Sequence, residues 1–153
     1  MTSVLLVCLG NICRSPMAEG ALRQAAAARG LDLLIDSAGT GGWHAGDPPD
    51  ARAMATARAH GVDISGLRGR VVQPEDFRRF DLIVALDRAN LRDLRAVEPY
   101  DSTAQLSLLL DHVPGRTGQS VADPYTGDLD DFALTWAEVS VAAEGLLDWI
   151  ETT

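Results

Sequence analysis

The chain of 153 residues carries 22 acidic and 13 basic side chains, a net charge of −9. Such a surface repels nucleic acid and anionic membranes, so neither is expected as a partner. The length fits one domain over residues 1–153, enough for a sizeable core and too short for two ordinary domains.

Ser3-Val4-Leu5-Leu6-Val7 is a short apolar run that reads as a buried parallel strand. It lacks a basic flank and a cleavage site, so no signal peptide or membrane span is expected. The cytoplasm is the expected location, with leaderless export an open alternative, and oligomeric state has no signal in the sequence.

Directly after this strand, Cys8-Leu9-Gly10-Asn11-Ile12-Cys13-Arg14-Ser15-Pro16 sets a thiol and a guanidinium six positions apart on a turn of small residues. Ser15 and Pro16 suit an N-cap and first helical position for an alanine-rich helix from Met17 to Arg29, ended by Gly30. A strand-turn-helix junction aims backbone N–H groups and a helix dipole at one point, which makes an anion site. Gly10 permits the tight backbone. Arg14 is the telling residue, since a cation beside a helix N-terminus opposes the dipole unless an anion sits there too. A phosphate-like group resolves that conflict, and Cys8 in such positive surroundings is a candidate nucleophile.

Leu31 to Ala38 reads as a second strand, followed by a Gly- and Pro-rich loop from Gly39 to Pro49. Asp50 starts a helix to His60, stopped by Gly61. Ser65 to Val72 is irregular, Gln73 to Phe77 opens a short helical turn, and Asp81 to Leu86 is a third buried strand. Asp87 caps a helix to about Glu98, with a supporting role behind the site as the alternative. Thr103 to Leu110 contains a fourth strand, although its leucines suit a helix almost as well. A polar loop from Pro114 to Gly127 leads to a long helix from about Asp130. Its Phe132, Trp136, Val139, Ala143, Leu146 and Ile150 recur every three or four residues, so that face is expected to pack on the sheet. Alternating strands and helices predict an α/β fold with a parallel sheet, whose ligands bind beyond the carboxyl ends of the strands, where Cys8 lies.

The chain has only two cysteines, Cys8 and Cys13, five apart in one loop. That is a poor disulfide framework and a poor zinc site, so both read as reactive rather than structural. His44, His60 and His112 lack metal-ligand spacing, and no metal or cofactor is expected. Arg23, Arg29, Arg52 and Arg58 read as solvated helix faces.

Val7 to Pro16 resembles the phosphate loop of the low-molecular-weight protein tyrosine phosphatases. The resemblance continues through Asp36-Ser37-Ala38, Gly46-Asp47-Pro48-Pro49-Asp50, His60-Gly61, Glu75-Asp76-Phe77, Asn90-Leu91-Arg92-Asp93-Leu94 and Asp123-Pro124-Tyr125. It implies a four-stranded parallel sheet flanked by helices on both faces, tyrosine-phosphorylated proteins as substrates, and a reaction through phosphocysteine. Cys8 is then the nucleophile, Arg14 the phosphate clamp and Asp123 the general acid and base. Leu9, Gly10, Asn11, Ile12, Cys13 and Ser15 complete the phosphate-binding loop. Asn11 shapes that loop with a strained backbone, Ser15 donates to the thiolate, and Ser37 supports Asn11. Trp43 and Tyr125 come to the pocket rim, the alternative being local packing. A reversible Cys8–Cys13 disulfide is a further implication, with Cys13 as a packing residue the other reading.

Two positions depart from some relatives: Thr126 replaces a second tyrosine after Tyr125, and Gly66 replaces a loop-supporting histidine. Three rival functions are arsenate reduction, which needs further cysteines downstream, phosphoarginine hydrolysis, whose enzymes resemble this loop with Thr in place of Ile12, and non-catalytic phosphate binding.

Overall fold

The computed structural model describes residues 1–153. Its centre is β1 (Thr2–Cys8), whose alternate side chains feed two separate cores. Val4, Leu6 and Cys8 point to one face, Leu5 and Val7 to the other. β2 (Leu33–Gly39) pairs with one edge of β1, and β3 (Leu82–Ala85) with the other. β4 (Gln105–Leu108) completes an all-parallel sheet in the order β2-β1-β3-β4. The larger core holds α1 (Arg14–Ala28), α2 (Ala51–Ala59) and α5 (Leu129–Thr152). The smaller core packs α3 (Asp76–Arg79), through Phe77, and α4 (Arg88–Val97), through Leu94, against the opposite face. The expected four-stranded parallel architecture with helices on both faces is the one observed.

Two expectations need correction, and one open reading is resolved. α1 begins at Arg14, with Cys13 rather than Ser15 at its N-cap and no side-chain cap. Ser15 is not free to cap, because its hydroxyl lies 3.0 Å from the Cys8 sulfur and accepts from Asn11. Pro16 is tolerated inside the first turn, where N–H groups have no helical acceptor to lose. α5 buries the predicted Phe132, Trp136, Val139, Ala143 and Leu146, yet it packs chiefly against α1, α2 and the turn after β4 rather than directly on the sheet. The ambiguous leucine stretch divides: β4 ends where Asp111 accepts the Leu108 amide at 3.0 Å, and Leu109–His112 forms a 3₁₀ turn.

Asp50 and Asp87 cap α2 and α4 by accepting the amides of Arg52 and Asn90, as their positions predict. No helix is long and apolar enough to cross a membrane.

Candidate active site

The loop from Cys8 to Arg14 turns at the carboxyl end of β1 in the middle of the sheet. Asn11 is the one non-glycine residue at positive φ, 58°. Asparagine tolerates that region because its short polar side chain can bond locally. Its amide donates to Cys8 Sγ at 3.3 Å, and its Nδ2 donates to Ser15 Oγ at 2.8 Å and Ser37 Oγ at 3.0 Å. Its Oδ1 accepts from the Arg70 amide at 3.0 Å. The turn therefore rests on Asn11. Gly10 has an ordinary φ, and a side chain there would meet the His44 ring at 3.2 Å. Its smallness serves that close approach rather than a special dihedral.

With Asn11 holding this shape, the amides of Leu9, Gly10, Ile12, Cys13 and Arg14 donate to no protein acceptor. They belong to the turn that closes on the Cys8 sulfur through the Asn11 amide and leads into a helix N-terminus, a setting suited to anionic oxygens. Gly39 lies behind the loop, where a Cβ would come within 2.7 Å of the Leu9 carbonyl oxygen.

A polar chain runs from the loop into the larger core. Ser37, which accepts from Asn11, donates in turn to Glu19 at 2.7 Å. Glu19 is 1% exposed and accepts from Arg23 at 2.9 Å. Burial pushes the Glu19 carboxyl up, and the bonds from Ser37 and Arg23 oppose that shift. Glu19 was not among the residues singled out from the sequence. The signal that could have found it is a lone carboxylate in the otherwise apolar segment from Met17 to Leu22.

Arg14 is 3% exposed and commits only its Nη1, which donates to Asp87 at 2.7 Å and to the Val121 carbonyl at 2.9 Å. The guanidinium edge formed by Nε and Nη2 donates to no protein atom, leaving a two-pronged donor for one anion. Asp87 is thus both the cap of α4 and the holder of Arg14. Asp123, from the loop before α5, brings its carboxylate to 3.7 Å from Nη2.

These groups share one cavity of about 150 Å³, lined by Cys8, Leu9, Gly10, Ile12, Cys13, Arg14, Trp43, His44, Asp123 and Tyr125. Trp43 and Tyr125 stand at its edge, 73% and 48% exposed, two aromatic side chains in the same lining as Cys8 and Arg14. Ser15 and Ser37 sit beneath the loop rather than in the cavity. His44 is an unanticipated wall residue, paired with Asp47 at 3.2 Å. Both cysteines are free and buried, and burial followed by the nearby Asp50 and Asp123 pushes the Cys13 thiol up to about 12. Arg52 is not the solvated residue expected: it donates to Asp50, to the Tyr125 carbonyl at 2.9 Å and to the Gly127 carbonyl at 3.0 Å.

Residues 3–153 match the family pattern of low molecular weight phosphotyrosine protein phosphatase. A Bacillus subtilis protein named low molecular weight protein-tyrosine-phosphatase YfkJ is 43% identical over 134 residues, 86% of each chain. A crystal structure of a protein tyrosine phosphatase from Entamoeba histolytica superposes with a TM-score of 0.93 at 30% identity, covering 99% of this chain and 98% of that one. A Drosophila arginine phosphatase is also similar, with a TM-score of 0.90, 32% identity and 98% of each chain covered. The chain belongs to the low molecular weight phosphotyrosine protein phosphatase family.

Proposed function

We propose that this chain hydrolyses phosphotyrosine in proteins, and small aryl phosphates, through a phosphocysteine. In the first step the Cys8 thiolate attacks phosphorus and the bond to the phenolic oxygen breaks. Asp123 gives its proton to that oxygen, so the leaving group departs as a neutral phenol. In the second step water attacks the phosphocysteine, Asp123 takes the water's proton, and phosphate leaves with Cys8 again a thiolate. The loop amides and the Nε/Nη2 edge of Arg14 hold the three non-bridging oxygens as charge shifts onto them.

The observation that carries this reading is the convergence, in one cavity, of a hydrogen-bonded sulfur, uncommitted loop amides, an uncommitted guanidinium edge and a carboxylate 3.7 Å from it. The rim aromatics favour a phenyl substituent on the phosphate. Steady-state hydrolysis of a phosphotyrosine peptide tests it. Cys8→Ser loses turnover while still binding inorganic phosphate; undiminished turnover would remove Cys8 from the mechanism. Asp123→Asn loses about 10² to 10⁴ in turnover with phosphate affinity nearly unchanged.

Phosphoarginine hydrolysis is the second reading, favoured by the likeness to the Drosophila arginine phosphatase. Ile12 at the cavity wall supports the aryl ester instead, and the ratio of phosphotyrosine to phosphoarginine turnover decides between them. Arsenate reduction lacks its relay, since no cysteine follows Cys13. Phosphate binding without turnover of any ester would establish the non-catalytic reading. Cys8 and Cys13 line one cavity as free thiols, which supports a peroxide-driven disulfide between them, reversible by thiol reductant. Two unpaired thiols also fit a cytoplasmic location.

A further inference from the structure

Asp123 sits in a stretch with little regular structure, from Thr117 to Asp128, yet a general acid must hold its carboxyl within hydrogen-bond reach of the leaving oxygen. Two arginines fix the backbone around it. Arg14 binds the carbonyl of Val121, two residues before Asp123, and Arg52 binds the carbonyls of Tyr125 and Gly127, two and four residues after.

Arg52 is itself held firmly. Its Nε and Nη2 donate to the two oxygens of Asp50 at 3.1 and 3.0 Å, and its guanidinium lies 4.5 Å from the centre of the Phe132 ring. Asp50 in turn donates its backbone N–H to the carbonyl of Ile12 at 2.8 Å. A continuous line of contacts therefore runs from the phosphate loop through Asp50 and Arg52 to the far side of the acid loop. The guanidinium is also 5.7 Å from the Tyr125 ring, so the same side chain steadies a rim aromatic.

We propose that Arg52 is a positioning residue for proton transfer: by pinning the Tyr125 and Gly127 carbonyls to the helix that borders the phosphate loop, it sets where the Asp123 carboxyl stands. This rests on the reading of Asp123 as general acid. Arg52 touches neither sulfur nor the anion site, so its removal leaves phosphate binding intact and misplaces the acid.

The discriminating measurement is kcat/KM across aryl phosphates whose phenols span a wide range of acidity. An acidic phenol leaves without a proton, whereas a weakly acidic one needs the acid. Arg52→Met keeps an unbranched apolar stem and removes every donor; Arg52→Lys keeps the charge without the fork. Both are expected to lose about tenfold or more on the least acidic phenol and to stay within about twofold on the most acidic. Inhibition by inorganic phosphate stays unchanged, and adding Arg52→Met to Asp123→Asn costs nothing further. Equal losses on all esters, or no loss, would overturn the proposal, because a general loss of folded protein lowers all substrates alike. Asp123→Asn measured in parallel separates the two readings. If that variant does not steepen the dependence on phenol acidity, the acid assignment itself fails and takes the proposal with it. If it does and the Arg52 variants do not, only the proposal falls.

Discussion

Asn11 shows how much one side chain can determine. It occupies a backbone region that costs most residues about 1 to 2 kcal/mol, and its amide group bonds Ser15, Ser37 and the Arg70 amide. Asn11→Ala should therefore lose about 2 to 4 kcal/mol in urea unfolding, from backbone strain together with unsatisfied partners. Asn11→Gly removes the strain but leaves the same side-chain bonds unmade, so it should recover about 1 kcal/mol of that deficit. An alanine variant as stable as the glycine one would show that the positive φ is not under strain. At this scale the pairing of Cys8 with Arg14 in one cavity was legible because the two share a turn of short sequence separation. Glu19 and Arg52 were not, because each owes its role to a distant partner, Ser37 and the Tyr125 carbonyl respectively; Asp87 was legible as a cap, and only its bond to Arg14 chose the supporting role over the cap alone. A sequence window around Arg52 shows only a cation on a helix.

The elements obey local rules wherever no tertiary demand competes. Asp128 and Asp131 form a reciprocal capping box at the start of α5, each carboxylate accepting the other's backbone amide. Asp128→Ala should cost about 1 kcal/mol, read as a lower thermal midpoint with unaltered kcat on a small aryl phosphate. A larger loss of activity than of stability would mean that the start of α5 also steers the adjoining acid loop. Where tertiary demand does compete, the local reading misplaced a boundary: Ser15 is drawn under the sulfur, and the helix starts two residues earlier without a side-chain cap. The apolar period of α5 identified its buried face and could not say which surface would cover it, since an alanine-rich helix and a sheet ask for the same stripe.

For the molecule as a whole, the sheet order sets β1 and β3 side by side at its centre, bringing Cys8 and Asp87 to the same carboxyl end of the sheet although they are 79 positions apart. Alternation of strands and helices predicted the fold class; the pairing of distant segments lies outside any local pattern. Global stability should also depend on pH through His112. Its Nε2 lies 3.0 Å from Ser107 Oγ, its ring meets the edge of Trp149, and burial lowers its pKa from 6.5 despite the Asp111 charge nearby. That contribution is complete above pH 6.5 and is lost as pH falls through the lowered value. Glu19, raised by burial, acts in the opposite sense, its contribution complete below pH 4.5 and lost as pH rises through its own folded value. Comparing His112→Gln with the parent in urea at pH 7 and pH 5 isolates the first term: the variant should lose less stability on acidification. An identical acid response in both proteins would remove His112 from the account.

The proposed anion cradle is built from backbone. Leu9, Gly10, Ile12, Cys13 and Arg14 offer main-chain N–H groups, which every amino acid except proline also carries. Alanine scanning is therefore blind to the cradle's donors: it trims walls and leaves the grip in place. The substitution that reaches them is chemical rather than genetic, an ester replacing a single peptide bond, with each ester predicted to weaken phosphate binding while the side chains stay as they were.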